Sequence, residues 1–291
     1  MPKLKFVREF LKKISPVWSF FRFLKHRVFL PLVQRSTLNV LETFPVCAPA
    51  GAGGYGPRAE ITIRGINQLL PGLYSLAILN GAKGIEPRSA EGWPFPEGDL
   101  ETIKALEACL AKFGTRKDPP YLRLYGHIFK DREQIETVLE IGIGSNNPSI
   151  VSNNLGSAAP GSTLRGLRDF LGGARIYGVD VDTDILFTED RIQTYFVDQT
   201  DRASLEALGR ELPDAFDLII DDGLLAPVAD LPTLNFSLAR LRIGGWLVVE
   251  EIPGRALVFW KVVATMLALS FKATILSNDD DSLIFVVERK Y

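Results

Sequence analysis

The sequence predicts an α/β fold: a mostly parallel seven-stranded sheet with a C-terminal antiparallel hairpin, helices on both faces, and a helical and irregular N-terminal extension. Three observations carry this. From residue 135 onward, short β-rich runs alternate with amphipathic segments, an order that demands parallel strands joined by crossover helices. The last two β-runs are separated only by Ser277-Asn278-Asp279-Asp280-Asp281, too short for a crossover helix, so they pair as a hairpin. The 291 residues are 46% hydrophobic and 23% charged, which supplies a sizeable core and excludes disorder by composition.

In chain order, residues 1–35 form a basic amphipathic arm. Nine Lys/Arg stand against the single acid Glu9, so the arm carries +8 and the rest of the chain −10, a split hidden in the formal net charge of −2. Leu4, Val7, Phe10, Leu11 and Ile14 share one helical face, which Pro16 ends. Trp18, Phe20, Phe21, Phe23 and Phe29 follow, interleaved with Arg22, Lys25 and Arg27. Such an arm either rests on an anionic membrane surface or packs its aromatics on the main domain. The cations interrupt any signal-peptide core, and no run reaches the ~20 apolar residues of a membrane span. The acidic body excludes a generally basic nucleic-acid binder. Cys47 and Cys109 make neither a disulfide framework nor a zinc site, so a cytoplasmic, reducing setting is expected, with the arm peripheral at the inner membrane surface as the alternative placement.

Residues 36–120 read as the irregular and helical extension. The tract 46–58 is rich in Gly, Pro and Ala and reads as a linker. Gly and Pro recur so often over 59–98 that little regular structure is expected there. Asp99 then looks like the N-cap of a helix carrying Leu100, Ile103, Leu106, Leu110 and Phe113, stopped by Gly114.

The domain over 121–291 carries the legible pattern. Strands are expected at 137–143, 174–181, 192–197, 216–220 and 246–250, with helices at 162–171, 201–212 and 231–241 between them. A longer helix over 255–270 precedes the hairpin runs 273–276 and 282–288.

Open α/β sheets bind ligands at the carboxyl ends of their strands. The first strand ends in Glu140-Ile-Gly142-Ile-Gly144, where small residues let the backbone turn and approach a ligand. Alone, a GxG after a strand is a weak signal. The second strand ends in Gly178-Val-Asp180-Val-Asp182, an acid where a ribose diol would lie, and the third in Val197-Asp198-Gln199, a carboxylate and an amide that could read an adenine edge. The fourth ends in Asp221-Asp222-Gly223. Acids at four successive strand ends on one rim point to a ligand.

These motifs, with Ile243-Gly-Gly-Trp-Leu-Val-Val-Glu250, resemble the class I S-adenosylmethionine-dependent methyltransferases, which have a Rossmann-like fold. They are most similar to the branch of sugar O-methyltransferases, over roughly residues 120–291. The resemblance implies S-adenosylmethionine as cofactor, held by Glu140, Gly142 and Gly144 in the loop, Asp180 and Asp182 at the ribose, and Asp198 and Gln199 at the adenine, with Asp221 close by. It implies Mg²⁺ at Asp222 and Glu251, and a sugar, glycan or other small hydroxylated acceptor.

Two departures stand out. Asn146 replaces a frequent third glycine. Leu225 occupies the position of the histidine base that the metal-dependent branch often carries, and leucine accepts no proton. Asp222, and His127 reaching in from ahead of the first strand, are the remaining catalytic candidates; for His127 a structural histidine is the better reading. The missing base leaves a second reading, a catalytically silent cofactor-binding or scaffold protein of this fold. The bland reading of Glu251 is a cap for the helix near Arg255.

Overall fold

The computed structural model describes residues 30–50, 54–91, 99–153 and 158–291. The chain divides into two compact units, Met1–Leu76 and Ala77–Tyr291. The arm expected over residues 1–35 lies outside the described residues up to 29.

In the first unit, helix α1 (Leu30–Thr43) leads through a short 3-10 turn into α2 (Tyr55–Leu79), whose last turn reaches into the second unit. A helix of 25 residues corrects the expectation of little regular structure after residue 59. Pro57 lies in the first turn, where its missing N–H is no loss, and Pro71 is carried inside the helix by the turns on either side. Ile61, Ile63, Leu69 and Leu73 are exposed, so the helix shows no clean apolar stripe by which to recognise it.

The second unit is built on one sheet. Its strands are β1 (Arg88–Ser89), β2 (Thr137–Ile141), β3 (Arg175–Asp180), β4 (Thr188–Glu189), β5 (Ile192–Phe196), β6 (Phe216–Asp221), β7 (Leu241–Pro253), β8 (Phe271–Ser277) and β9 (Ser282–Arg289). They lie in the order β1-β8-β9-β7-β6-β2-β3-β5-β4. The run β5-β3-β2-β6-β7 is parallel, and β9 lies antiparallel between β7 and β8, as the short polar tract requires. The sheet among the described residues therefore has nine strands rather than seven. The two extra strands are edge pairs two residues long, β4 antiparallel to β5 and β1 parallel to β8, too short to leave an alternating pattern.

Period-2 alternation sends successive side chains to opposite faces. On one face Val138, Ile176, Leu218, Ile220 and Val248 pack under α3 (Asp99–Ala111), α4 (Pro119–Ile128) and α5 (Ser162–Phe170). On the other, Leu139, Val179, Ile219, Leu247 and Val249 pack under α6 (Arg202–Glu211), α7 (Pro227–Arg240) and α8 (Leu257–Met266). Asp201 caps α6, accepting from the Ala203 amide. Glu251 caps no helix. It sits at a register shift between Val249 and Ile252 with φ +50°, and Ala256 precedes α8. No helix among the described residues is long and apolar enough to cross a membrane.

Candidate functional site

The turn after β2 is built around Gly142, which has φ +84° and whose amide donates to the Val179 carbonyl at 2.8 Å. A Cβ there would lie 2.5 Å from the Asp222 carbonyl oxygen, so the loops after β2 and β6 approach this closely only with glycine. Gly144 also takes a positive φ, +87°.

Asp180 holds this loop. One carboxylate oxygen accepts from the Ile143 amide and the other from the Asp182 amide, both at 2.9 Å. Asp182 accepts from the Ser145 hydroxyl at 2.5 Å and the Asp184 amide at 3.1 Å. Asp180 nevertheless faces open space, in a cleft of about 280 Å³ shared with Gly142, Asp198, Gln199 and Leu224. Asp182 does not line that cleft and acts by fixing the loop. Asp198 closes its own turn, accepting from the Thr200 amide and hydroxyl. Gln199 lines the same cleft while its side chain bonds within the fold. Its carbonyl accepts from the Leu224 amide at 2.8 Å, and its NH₂ donates to Asp221 at 2.9 Å and the Thr233 hydroxyl at 3.2 Å. With both donors engaged, the side-chain amide ties the third strand end to the fourth.

A second cleft of about 690 Å³ opens on the opposite side of Gly142, lined by Lys117, Glu140, Gly144, Thr163, Asp222 and Glu251. Glu140 is buried, and its Oε2 has no hydrogen-bond partner. Burial pushes its carboxyl up to about 8, opposed by Lys117 and a hydrogen bond from Thr163 and reinforced by Asp222 and Glu250. Asp222 stands at about 7, raised first by desolvation, held back by Lys117, and raised further by Glu250 and Glu251. Asp221 belongs to neither cleft. The alternation along β6 turns it away from the larger cleft, beneath α7; burial and the neighbouring Asp230 push it up to about 8.

The groups that the motifs did not reveal come from α4 and β7. Lys117 stands just ahead of Asp118 and Pro119, where α4 starts. Its ammonium lies 3.4 Å from Asp222 Oδ2, donates to Glu250 Oε2, and sits 5.5 Å from the centre of the Tyr121 ring. Tyr125, one helical turn beyond Tyr121, donates to Glu250 Oε1 at 2.5 Å, and the Glu251 amide donates to the Tyr121 hydroxyl at 3.1 Å. Glu250 is therefore fully buried and held at both oxygens. Burial lowers the affinity of Lys117 for its proton, but Glu250, Asp222 and Glu140 outweigh it and hold the group cationic. Desolvation and Glu250 raise Tyr125 well above the usual phenol range.

His127 lies apart from both clefts. It packs edge-on against Trp246 at 5.7 Å. Trp246 precedes Glu250 on β7 by four residues, about 13 Å of strand, so this histidine stands far from the strand ends. Leu225 is half-buried in the loop after β6.

The expected metal pair, Asp222 and Glu251, shares the second cleft. No group of three His, Cys, Asp or Glu among the described residues is arranged to hold an ion, and the cation between Asp222 and Glu250 is Lys117 itself. These residues do not fit a divalent ion, which wants several oxygens in an open shell.

No protein-family model matches the chain. Over 129 residues it is 33% identical to 8-demethyl-8-alpha-L-rhamnosyl tetracenomycin-C 2'-O-methyltransferase of Streptomyces olivaceus, covering 43% of this chain and 31% of that protein. Among solved structures, MycE methyltransferase from the mycinamycin biosynthetic pathway, in complex with Mg and SAH, is 22% identical with a TM-score of 0.49, over 64% of this chain and 55% of that one. A putative O-methyltransferase from Klebsiella pneumoniae is 14% identical with a TM-score of 0.43, over 69% and 93%. The chain thus spans about a third of the length of the curated relative it matches. In sequence, as in its strand-end motifs, it resembles a sugar O-methyltransferase.

Proposed function

We propose that this chain is an S-adenosylmethionine-dependent O-methyltransferase acting on a sugar or other small hydroxylated acceptor. The observation that carries this reading is Glu140, a buried carboxyl with an unpartnered oxygen beside the Gly142–Gly144 turn. An oxygen in that position needs a hydrogen-bond donor, and the ammonium of the cofactor's methionyl part would supply one. The adenosyl part belongs in the smaller cleft, where Asp180 offers carboxylate oxygens to ribose hydroxyls and Asp198 lies at the adenine. Bound, the cofactor supplies an electrophilic methyl group on a sulfonium.

The chain's own residues position the acceptor and take its proton. Asp222 faces the larger cleft with a proton affinity near neutrality, which suits a general base, and replaces the histidine missing at Leu225. Residues 113–117 of the extension form one wall of that cleft and would shape the acceptor site. The basic, aromatic residues 1–35 are read as a contact with an anionic membrane surface; equal co-sedimentation of the full chain and a chain starting at residue 36 with anionic vesicles would remove that part.

Calorimetry with S-adenosylmethionine tests the reading, and absence of binding overturns it. In a methyl-transfer assay over a panel of sugars, Asp222→Asn is expected to lower turnover by about 10²- to 10⁴-fold while binding cofactor as wild type does. Binding by the wild type without turnover on any hydroxylated acceptor would favour a silent scaffold, the reading that Leu225 motivates.

A further inference from the structure

The strand-end acids suggest a divalent ion, and the geometry around them supplies a different cation. We propose that the Lys117 ammonium is a built-in replacement for that ion, seated between Asp222 and Glu250, so that this chain binds no divalent metal there. The inference rests on the reading of the larger cleft as a methyl-transfer site and extends it to how the site is charged.

Glu140, Asp222 and Glu250 all act electrostatically on Lys117, and Glu250 and Glu251 on Asp222; Glu140, Asp222 and Glu251 line the cleft, with Glu250 buried behind Asp222 and Lys117. An uncompensated cluster of this kind is costly in a dry site, and a bound ion or a protein cation relieves it. Lys117 has the placement to do so. Its side chain is only 12% exposed, it bonds Glu250, and it lies 3.4 Å from Asp222. Glu250 cannot turn away, because its other oxygen is fixed by Tyr125. Lys117 is equally anchored: it adjoins the Pro119-Pro120 start of α4, whose Tyr121, Leu122, Leu124 and Tyr125 are buried in the core. The Tyr121 ring flanks the ammonium. An ion entering this space would have to expel a buried, paired lysine. The ammonium's three donors leave one for the open cleft, where a ligand oxygen would meet it.

Mn²⁺ alone, titrated into the full-length, EDTA-treated chain and followed by electron paramagnetic resonance, tests this without cofactor or acceptor. Wild type is expected to show no saturable Mn²⁺ binding. Lys117→Ala is expected to gain a single site, at least about ten-fold tighter than any binding by wild type, and to lose it when Asp222→Asn is added. If Lys117→Ala does not fold, Lys117→Met keeps the volume of the stem and gives the same readout. Saturable binding by wild type that Asp222→Asn removes would overturn the proposal, as would a folded Lys117 variant that gains nothing. Because the readout needs neither methyl donor nor acceptor, it stands apart from the test of the activity. If that activity is present, it should withstand EDTA.

Discussion

Asp221 and Asp222 are neighbours in the chain and strangers in space. One lies beneath α7 beside Asp230, the other opens into the larger cleft next to Lys117. Because burial raises Asp221 from an ordinary 3.8 to about 8, the native chain holds a proton there that the unfolded chain releases above pH 4. The sign follows: this group's contribution to stability is complete below about pH 4 and is lost as pH rises towards 8. Asp221→Asn keeps an acceptor for Gln199 and removes the titration. In urea unfolding at a series of pH values, the variant should gain on wild type steadily between pH 4 and 8; parallel curves would contradict the account.

Among the elements, α4 and β7 carry the site jointly. Tyr121 and Tyr125 stand one turn apart on α4 and reach the end of β7, where the shifted register and the positive φ of Glu251 turn the strand. Tyr125→Phe removes the donor to Glu250 Oε1 and leaves a buried oxygen unsatisfied. A loss of about 1–3 kcal/mol is expected in denaturant unfolding, far above the effect of altering an exposed phenol. The strands and crossover helices of the second unit were legible because alternation and helical spacing are local patterns. The long helix α2 was not, because its apolar residues run all round it and Gly and Pro punctuate it. Lys117 was hidden for a different reason: its partners lie 105 and 133 residues away, and nothing near it in sequence announces them. Glu250 was within reach. It shares the parity of Val248 on β7, and the same counting separates Asp222 from Asp221. Motif matching points to Glu251 and Gln199, which line the clefts, and leaves unmarked the neighbouring Glu250 that holds Lys117.

At the scale of the whole molecule, the formal charge of −2 assumes that every carboxyl is ionised. The folded chain departs from that assumption at buried carboxyls. With Glu140 and Asp221 both at about 8, it carries protons at pH 7 that a count of residues omits. The unpartnered oxygen of Glu140 then has a thermodynamic consequence. A cation arriving beside it favours the ionised form, so ligand binding at pH 7 should expel a proton into solution. The heat of binding of S-adenosylmethionine should therefore vary with the ionisation enthalpy of the buffer, with a slope that counts the protons released. Identical heats in phosphate and Tris would mean that the cofactor's positive charge never meets Glu140.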